Sequence, residues 1–270
     1  MQYDLIALDL DGTALTPDNQ VSEAVREAVG WARARGVHVV ISTGRICGEA
    51  AEFARLLGAD DEMVTSGGAA LSSASQGVCF DRISMDWETA CRAAAACERC
   101  GLSTMVYVGA NLYMTPYDDM MFSQYKTNEG FLAVKTVVPS VAETIAAEHL
   151  AADKVFTRSR SPENLELVRR SLSSVEGLRM MSSAEDNVEI IAPLADKGRA
   201  LGTLCARLGT TLDRAIAIGD SENDREMLLA VGMPVAMGNA RPEIQKLCRF
   251  ITKTNAEDGV AHAIYTLLSR

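Results

Sequence analysis

The stretch 4–15, Asp-Leu-Ile-Ala-Leu-Asp-Leu-Asp-Gly-Thr-Ala-Leu, constrains this chain more than any other. Four consecutive apolar residues, Leu5–Leu8, suit a strand buried on both faces, which is the habit of a central strand in a parallel sheet. Two acids, Asp9 and Asp11, follow at once, with a Gly12-Thr13 turn behind them. At the carboxyl end of such a strand, two carboxylates one residue apart can share a divalent cation through one side chain and one backbone carbonyl. The plainer reading is an acidic turn that caps the next helix, since Asp, Gly and Thr are ordinary turn residues. The rest of the chain decides between them.

The chain has 270 residues, 48% hydrophobic and 23% charged, enough to bury a sizeable core in one large domain or two ordinary ones. It contains no run of the ~18 residues that a membrane span requires. Asp4, Asp9 and Asp11 stand where a signal peptide would be basic and then apolar, so a cytoplasmic location is expected. Seven cysteines, an odd number scattered along the chain, read as reduced thiols, and Cys97 and Cys100 as neighbours on one helix face. A net charge of −10 argues against nucleic acid or an anionic membrane as partner. An anionic ligand would meet repulsion of ~4 kcal/mol per charge pair at 4 Å and an effective dielectric near 20, so an acidic pocket binding phosphate needs a metal ion such as magnesium.

Strands and helices alternate through the first part. The pattern predicts a helix over 22–35 with Ser22 as its N-cap, a strand over 37–41, and then Ser42-Thr43-Gly44-Arg45. A helix over 48–57, a strand over 62–65, a Ser66-Gly67-Gly68 turn and a hairpin reaching Phe80 follow. From about Arg82 the pattern changes to an Ala/Cys-rich helix over 85–100. Strands are then expected over 104–108, 111–115, 132–138, 155–157, 178–182 and 188–191, with a helix over 162–173. In this unit Lys154, Arg158, Arg160, Glu189, Tyr107, Tyr113 and Asp118 could contact a substrate, but each reads more simply as a solvated face or core packing.

Beyond Pro193 the first style resumes. An Asp196-Lys197-Gly198 turn opens a helix over 199–208, a strand covers 214–218, and Gly219-Asp220-Ser221-Glu222-Asn223-Asp224 opens a helix over 225–230. Strands over 234–237 and 250–252 and helices over 242–248 and 259–268 complete the chain. In a parallel sheet the carboxyl ends share one edge, which brings Asp9, Asp11, Thr43, Gly44, Asp220 and Asp224 together.

These segments resemble the haloacid dehalogenase superfamily hydrolases of the Cof type, among the bacterial sugar-phosphate phosphatases. The four motifs stand in order as Asp9-Leu10-Asp11-Gly12-Thr13, Thr43-Gly44-Arg45, Lys197-Gly198, and Gly219-Asp220-Ser221-Glu222-Asn223-Asp224. The ending over 252–261, with Asn255 and Asp258-Gly259-Val260, is also similar, so the resemblance spans essentially the whole chain. It implies an α/β fold: a discontinuous Rossmann-like core with a mostly parallel sheet from 1–82 and 191–270, and an inserted α+β cap of the C2 type over 83–190.

The resemblance further implies a phosphatase acting on small phosphorylated metabolites, sugar phosphates first among them. Asp9 would be the nucleophile forming an aspartyl-phosphate, and Asp11 the proton donor and acceptor. Mg2+ would be held by Asp9, the Asp11 carbonyl and Asp220, supported by Ser221 and Asp224. Thr43, Lys197, Asn223 and the amides of Leu10 and Gly44 would donate to the phosphoryl oxygens. Taken singly, Thr43 could be a cap, Lys197 a surface residue and Asp224 a helix-terminus acid, while Ser42 and Arg45 read as structural. Two departures from the subgroup stand out: Gly67 where Asn is usual before Gly-Ala, which touches a core-to-cap or substrate contact, and Ala14 in place of Leu, which changes packing. Rival readings are a phosphosugar mutase and a non-catalytic phospho-acceptor module. Neither monomer nor dimer is favoured.

Overall fold

The computed structural model describes residues 3–123 and 128–269. The first part builds β1 (Leu5–Leu8), α1 (Glu23–Arg33), β2 (His38–Ile41), α2 (Cys47–Leu57), β3 (Glu62–Thr65), β4 (Ala70–Ser73) and β5 (Val78–Arg82). A second unit follows with α3 (Trp87–Arg99), β6 (Ser103–Val108), β7 (Asn111–Met114), α4 (Pro116–Phe122), α5 (Glu129–Val134), β8 (Lys135–Val137), α6 (Val141–Glu148), β9 (Lys154–Arg158), α7 (Pro162–Leu172), β10 (Arg179–Met181) and β11 (Asn187–Ile191). The chain then adds α8 (Lys197–Arg207), β12 (Ala215–Gly219), α9 (Arg225–Ala230), β13 (Met233–Ala236), α10 (Pro242–Gln245), β14 (Phe250–Ile251) and α11 (Gly259–Leu268).

The main sheet has the order β14-β13-β12-β1-β2 with every pairing parallel, and β1 lies inside it between β12 and β2. Leu8 sits in register with both Ile218 and Ile41, so the residues that follow the three strands emerge side by side. Leu5, Ile6, Ala7 and Leu8 are wholly buried, as the unbroken apolar run requires. Each buried Leu or Ile contributes about 1.5–3 kcal/mol, which pins the strand and with it the turn beyond. Helix α1 covers the sheet with Val25, Ala28, Val29 and Ala32, and the Ser22 hydroxyl accepts a hydrogen bond from the amide of Val25.

The second sheet, ordered β10-β11-β9-β6-β7-β8, is antiparallel except for the β7–β8 pair. A small antiparallel sheet, β3-β4-β5, stands beside the end of β2, bridged to it through Ser42 and Val64. No helix among the described residues is long and apolar enough to cross a membrane.

One expected strand is corrected. Residues 132–138 begin inside helix α5, and only Lys135–Val137 is strand. Asn128 caps α5 by accepting from the Phe131 amide, and Gly130 lies against Gly48 of α2 so closely that a Cβ on Gly130 would stand 2.2 Å from the Gly48 carbonyl oxygen. Tertiary packing overrides the β-propensity of this short apolar run. Helices α4 and α6 escaped the periodicity reading because each is only two turns long, although Thr115 and Asp118 form a capping box and Ser140 caps α6. Asp118, buried and accepting from the Thr104 and Thr115 amides, is a capping residue. Lys197 is the first residue of α8, with Asp196 as its N-cap, where the sequence suggested a turn.

The chain passes from β5 into the second sheet beside a buried acid. Asp153 accepts from Arg82 Nε at 2.9 Å, the Ser84 hydroxyl at 2.6 Å and the Gly109 amide at 2.8 Å. Met85 and Ala152 close the crossing with a pair of backbone hydrogen bonds. Asp153→Ala would strand these donors and is expected to lower stability by about 2–3 kcal/mol, read as a shifted urea midpoint at constant slope.

Candidate active site

The parallel register delivers three acids to one point. Ligand oxygens of Asp9, Asp220 and Asp224 all lie within 4.8 Å of one another. Lys197, at the start of α8, sends its ammonium between two of them, 2.7 Å from Asp9 Oδ1 and 2.6 Å from Asp224 Oδ1. The Asp224 carboxylate also closes its own turn, its Oδ2 accepting from the amides of Asp220 and Ser221. Both of its oxygens are therefore engaged. Asp220 accepts from the Thr13 hydroxyl at 3.1 Å.

Gly12 permits this arrangement. Its φ of 76° is left-handed, and a Cβ there would stand 2.4 Å from Asp220 Oδ2. Gly68 plays a similar part behind Lys197: with φ of 92°, a Cβ on it would lie 2.1 Å from the Asp196 carbonyl carbon. By contrast, no atom lies within 4 Å of a Cβ built on Gly67, so that departure from the subgroup costs no packing.

The electrostatics follow from burial. Burial first, then the neighbouring Asp224 carboxylate, raises the Asp9 carboxyl well above its ordinary value. The same two causes push Asp220 up to about 7. Burial alone would depress the Lys197 ammonium, but Asp224 and Asp9 more than offset it and hold its pKa above the usual lysine value. One ammonium facing three carboxylates leaves excess negative charge, and a bound divalent cation would reverse the tendency of Asp9 and Asp220 to hold protons. The donor set of Asp9, Asp220 and Asp224 therefore suits a hard cation, and Asp224 also fixes the backbone of the Asp220 turn.

The second loop completes the wall. Thr43 is fully buried, its amide donating to Val64 and its hydroxyl oxygen accepting from the Arg45 amide at 3.2 Å. Arg45 clamps Asp11 with two hydrogen bonds, Nε to Oδ2 at 2.9 Å and Nη2 to Oδ1 at 2.5 Å, and also pairs with Glu49. Asp11, 55% exposed, is thus turned onto Arg45 and stands outside the three-carboxylate cluster. Leu10 is buried, and its carbonyl accepts from the Leu15 amide, which closes the turn. The Ser221 hydroxyl donates to Asn223 Oδ1 at 2.7 Å.

A cavity of about 270 Å³ opens over these loops. Asp9, Asp11, Gly44, Asp220, Ser221 and Asn223 line it from the main sheet, while Leu10, Thr43, Lys197 and Asp224 are buried outside its lining. Tyr107, Lys154, Phe156, Arg158 and Glu189 line it from the second sheet. The sequence offers Lys154 and Glu189 only as possible substrate contacts, more simply read as a solvated face or packing, and Arg45 as structural. Lys154 Nζ lies 3.0 Å from Glu189 Oε2 and 2.5 Å from the Gly44 carbonyl oxygen, with both side chains almost wholly buried. The available signal was a charge embedded in each of two apolar strands, Lys154 beside Val155 and Phe156, and Glu189 within Val188–Ile191.

Comparison with known proteins points to one family. The family described as haloacid dehalogenase-like hydrolase matches residues 6–264. Phosphatase YwpJ of Bacillus subtilis is 32% identical, over 98% of this chain and 99% of its own length. The 5-amino-6-(5-phospho-D-ribitylamino)uracil phosphatase YcsE of the same bacterium is 30% identical, over 96% of this chain and 94% of its own. A solved haloacid dehalogenase-like hydrolase from B. subtilis superposes with a TM-score of 0.83 at 30% identity, covering 98% of this chain and 99% of that one.

Gly12→Ala tests the turn. A left-handed alanine costs about 1–2 kcal/mol, and its methyl group must displace the Asp220 carboxylate. A folded variant of lowered urea midpoint, with magnesium affinity reduced at least about tenfold by calorimetric titration, is the expected result.

Proposed function

The chain belongs to the haloacid dehalogenase-like hydrolases and is a phosphatase, and on that premise we propose that it hydrolyses small phosphorylated metabolites with magnesium through an aspartyl-phosphate on Asp9. The observation that carries this reading is the meeting of Asp9, Asp220, Asp224 and Lys197 at the edge of the main sheet, beside a cavity shared with the second sheet.

Asp9 Oδ attacks phosphorus in line, the P–O bond to the leaving alcohol breaks, and water then attacks phosphorus to regenerate the carboxylate and release inorganic phosphate. Magnesium, when held by Asp9, Asp220 and the Asp11 carbonyl, neutralises the carboxylates and the phosphoryl oxygens so that the anions can approach. Asp11 protonates the leaving oxygen and later takes a proton from the water. Its ion pair with Arg45 must open for this, and an exposed side chain can turn without disturbing the core. Lys197 orients Asp9 and, with Thr43, Asn223 and the amides of Leu10 and Gly44, donates to the non-bridging oxygens. Ser221 and Asp224 hold the Asp220 turn in shape.

The unit over 83–190 acts as the cap in this reading, covering the reacting groups and contacting the leaving alcohol through residues such as Arg158, Ser183 and Asn187. A cavity of about 270 Å³ with this mixed polar wall suits a sugar or sugar-alcohol phosphate. The substrate in the name of YcsE, which carries a phosphorylated ribityl group, supports that class.

Asp9→Asn is expected to reduce magnesium-dependent hydrolysis of para-nitrophenyl phosphate by at least about a thousandfold with the thermal midpoint retained; a variant of full activity would remove Asp9 as nucleophile. Asp220→Asn is expected to raise the magnesium concentration for half-activity by at least about tenfold, and an unchanged titration would exclude it as a ligand. Measured across a panel of phosphorylated sugars, sugar alcohols and nucleotides, free phosphate should appear with the first two classes. Isomerised sugar phosphate without free phosphate would favour a mutase instead.

A further inference from the structure

We propose that Lys154 is a positioning residue for the phosphoryl-binding turn at 43–45, and that it acts through a single peptide group when the second unit docks on the main sheet. The proposal rests on the phosphatase reading above.

Lys154 lies on β9 of the second unit, and its ammonium is enclosed by three groups. It donates to Glu189 Oε2 at 3.0 Å and to the Gly44 carbonyl at 2.5 Å, and it stands 4.6 Å from the centre of the Tyr107 ring. Glu189 is itself held by the Ser183 hydroxyl at 2.6 Å. A buried ion pair of this kind contributes little to stability once its desolvation is counted, so its presence calls for another role. The contact with Gly44 supplies one.

The carbonyl that Lys154 holds belongs to the peptide between Gly44 and Arg45. The amide of that same peptide donates to Thr43 Oγ1 at 3.2 Å. A planar peptide held at both ends has a fixed orientation. Thr43 Oγ1 therefore receives an N–H on one side and must send its own proton elsewhere, and that proton has no acceptor among the described residues. A buried hydroxyl proton without an acceptor is costly unless a ligand oxygen takes it. Gly44 adjoins the cavity, and a Cβ on it would lie 3.5 Å from Lys154 Nζ and 3.8 Å from Asn223 Nδ2, so the phosphoryl-binding groups and the lysine converge there. The hydrogen bond from Lys154 forms only with the two units docked. Docking thus presets the Thr43 hydroxyl as a donor before the phosphoryl group changes geometry.

A double-mutant cycle tests this. Lys154→Met alone would leave Glu189 buried and unpaired, so the variant is Lys154→Met with Glu189→Gln, assayed with para-nitrophenyl phosphate and magnesium in full-length protein. Acting through Thr43, the change should lower kcat at least about tenfold with KM altered less than about threefold. In a Thr43→Val background the same change should cost less than about threefold further. Equal losses in both backgrounds, or no loss in either, would overturn the proposal. Should that pair not fold, Lys154→Gln with Glu189→Gln is read in the same way, since glutamine is too short to reach Gly44 yet can bond its partner. The two readings fail separately: activity persisting in Asp9→Asn sinks the phosphatase mechanism, whereas an inactive Asp9→Asn with an additive cycle sinks only the role of Lys154.

Discussion

Lys197 places an ammonium 2.7 Å from Asp9 and 2.6 Å from Asp224, and the acidic edge of the main sheet depends on it. Burial and mutual repulsion raise the Asp9 and Asp220 carboxyls even beside that charge, and without it they would rise further. With it, the three acids form a compact cluster whose donors suit a hard cation. The glycine turns on either side follow from the same constraint. Gly12 lets Asp220 lie against backbone, and Gly68 lets the start of α8 come close enough for Lys197 to reach.

The register of the parallel strands turns distance along the chain into proximity. Leu8, Ile41 and Ile218 end side by side, so the residues after them share one edge although the chain between contains a second sheet. That second sheet is more than a roof. Lys154 reaches from it to the Gly44 carbonyl, and Gly130 packs against Gly48 with no room for side chains. Gly44 adjoins Thr43, and Gly48 stands five residues beyond it in the first turn of α2.

Legibility in the sequence followed the range of the forces involved. Buried strands and capped helices of the main sheet could be read almost residue for residue, because unbroken apolar runs, Ser22 and the glycine turns act locally. In the second unit, residues 132–138 were misread because burial of Phe131 and the Gly48–Gly130 contact outweigh local preference. The helices α4 and α6 carried caps but too few turns to show a period. Asp9, Asp220, Asp224 and Lys197, which the structure brings together, could be chosen from the motifs. Lys154 and Glu189 could be named as possible contacts but not told from core packing, and Arg45, although inside the second motif, could not be told from a structural residue, because a charge acquires meaning only from what encloses it.

The sequence by itself determined the parallel core and the acids at its edge, because a doubly buried strand has one hydrophobic signature and a charge after it must lie at the sheet's end. Only the tertiary structure decided how those acids divide. Asp9, Asp220 and Asp224 gather around Lys197, while Asp11, two residues from Asp9, turns away to Arg45. The physical reason is that pairing of charges depends on distance in space and on burial, neither of which spacing along the chain contains.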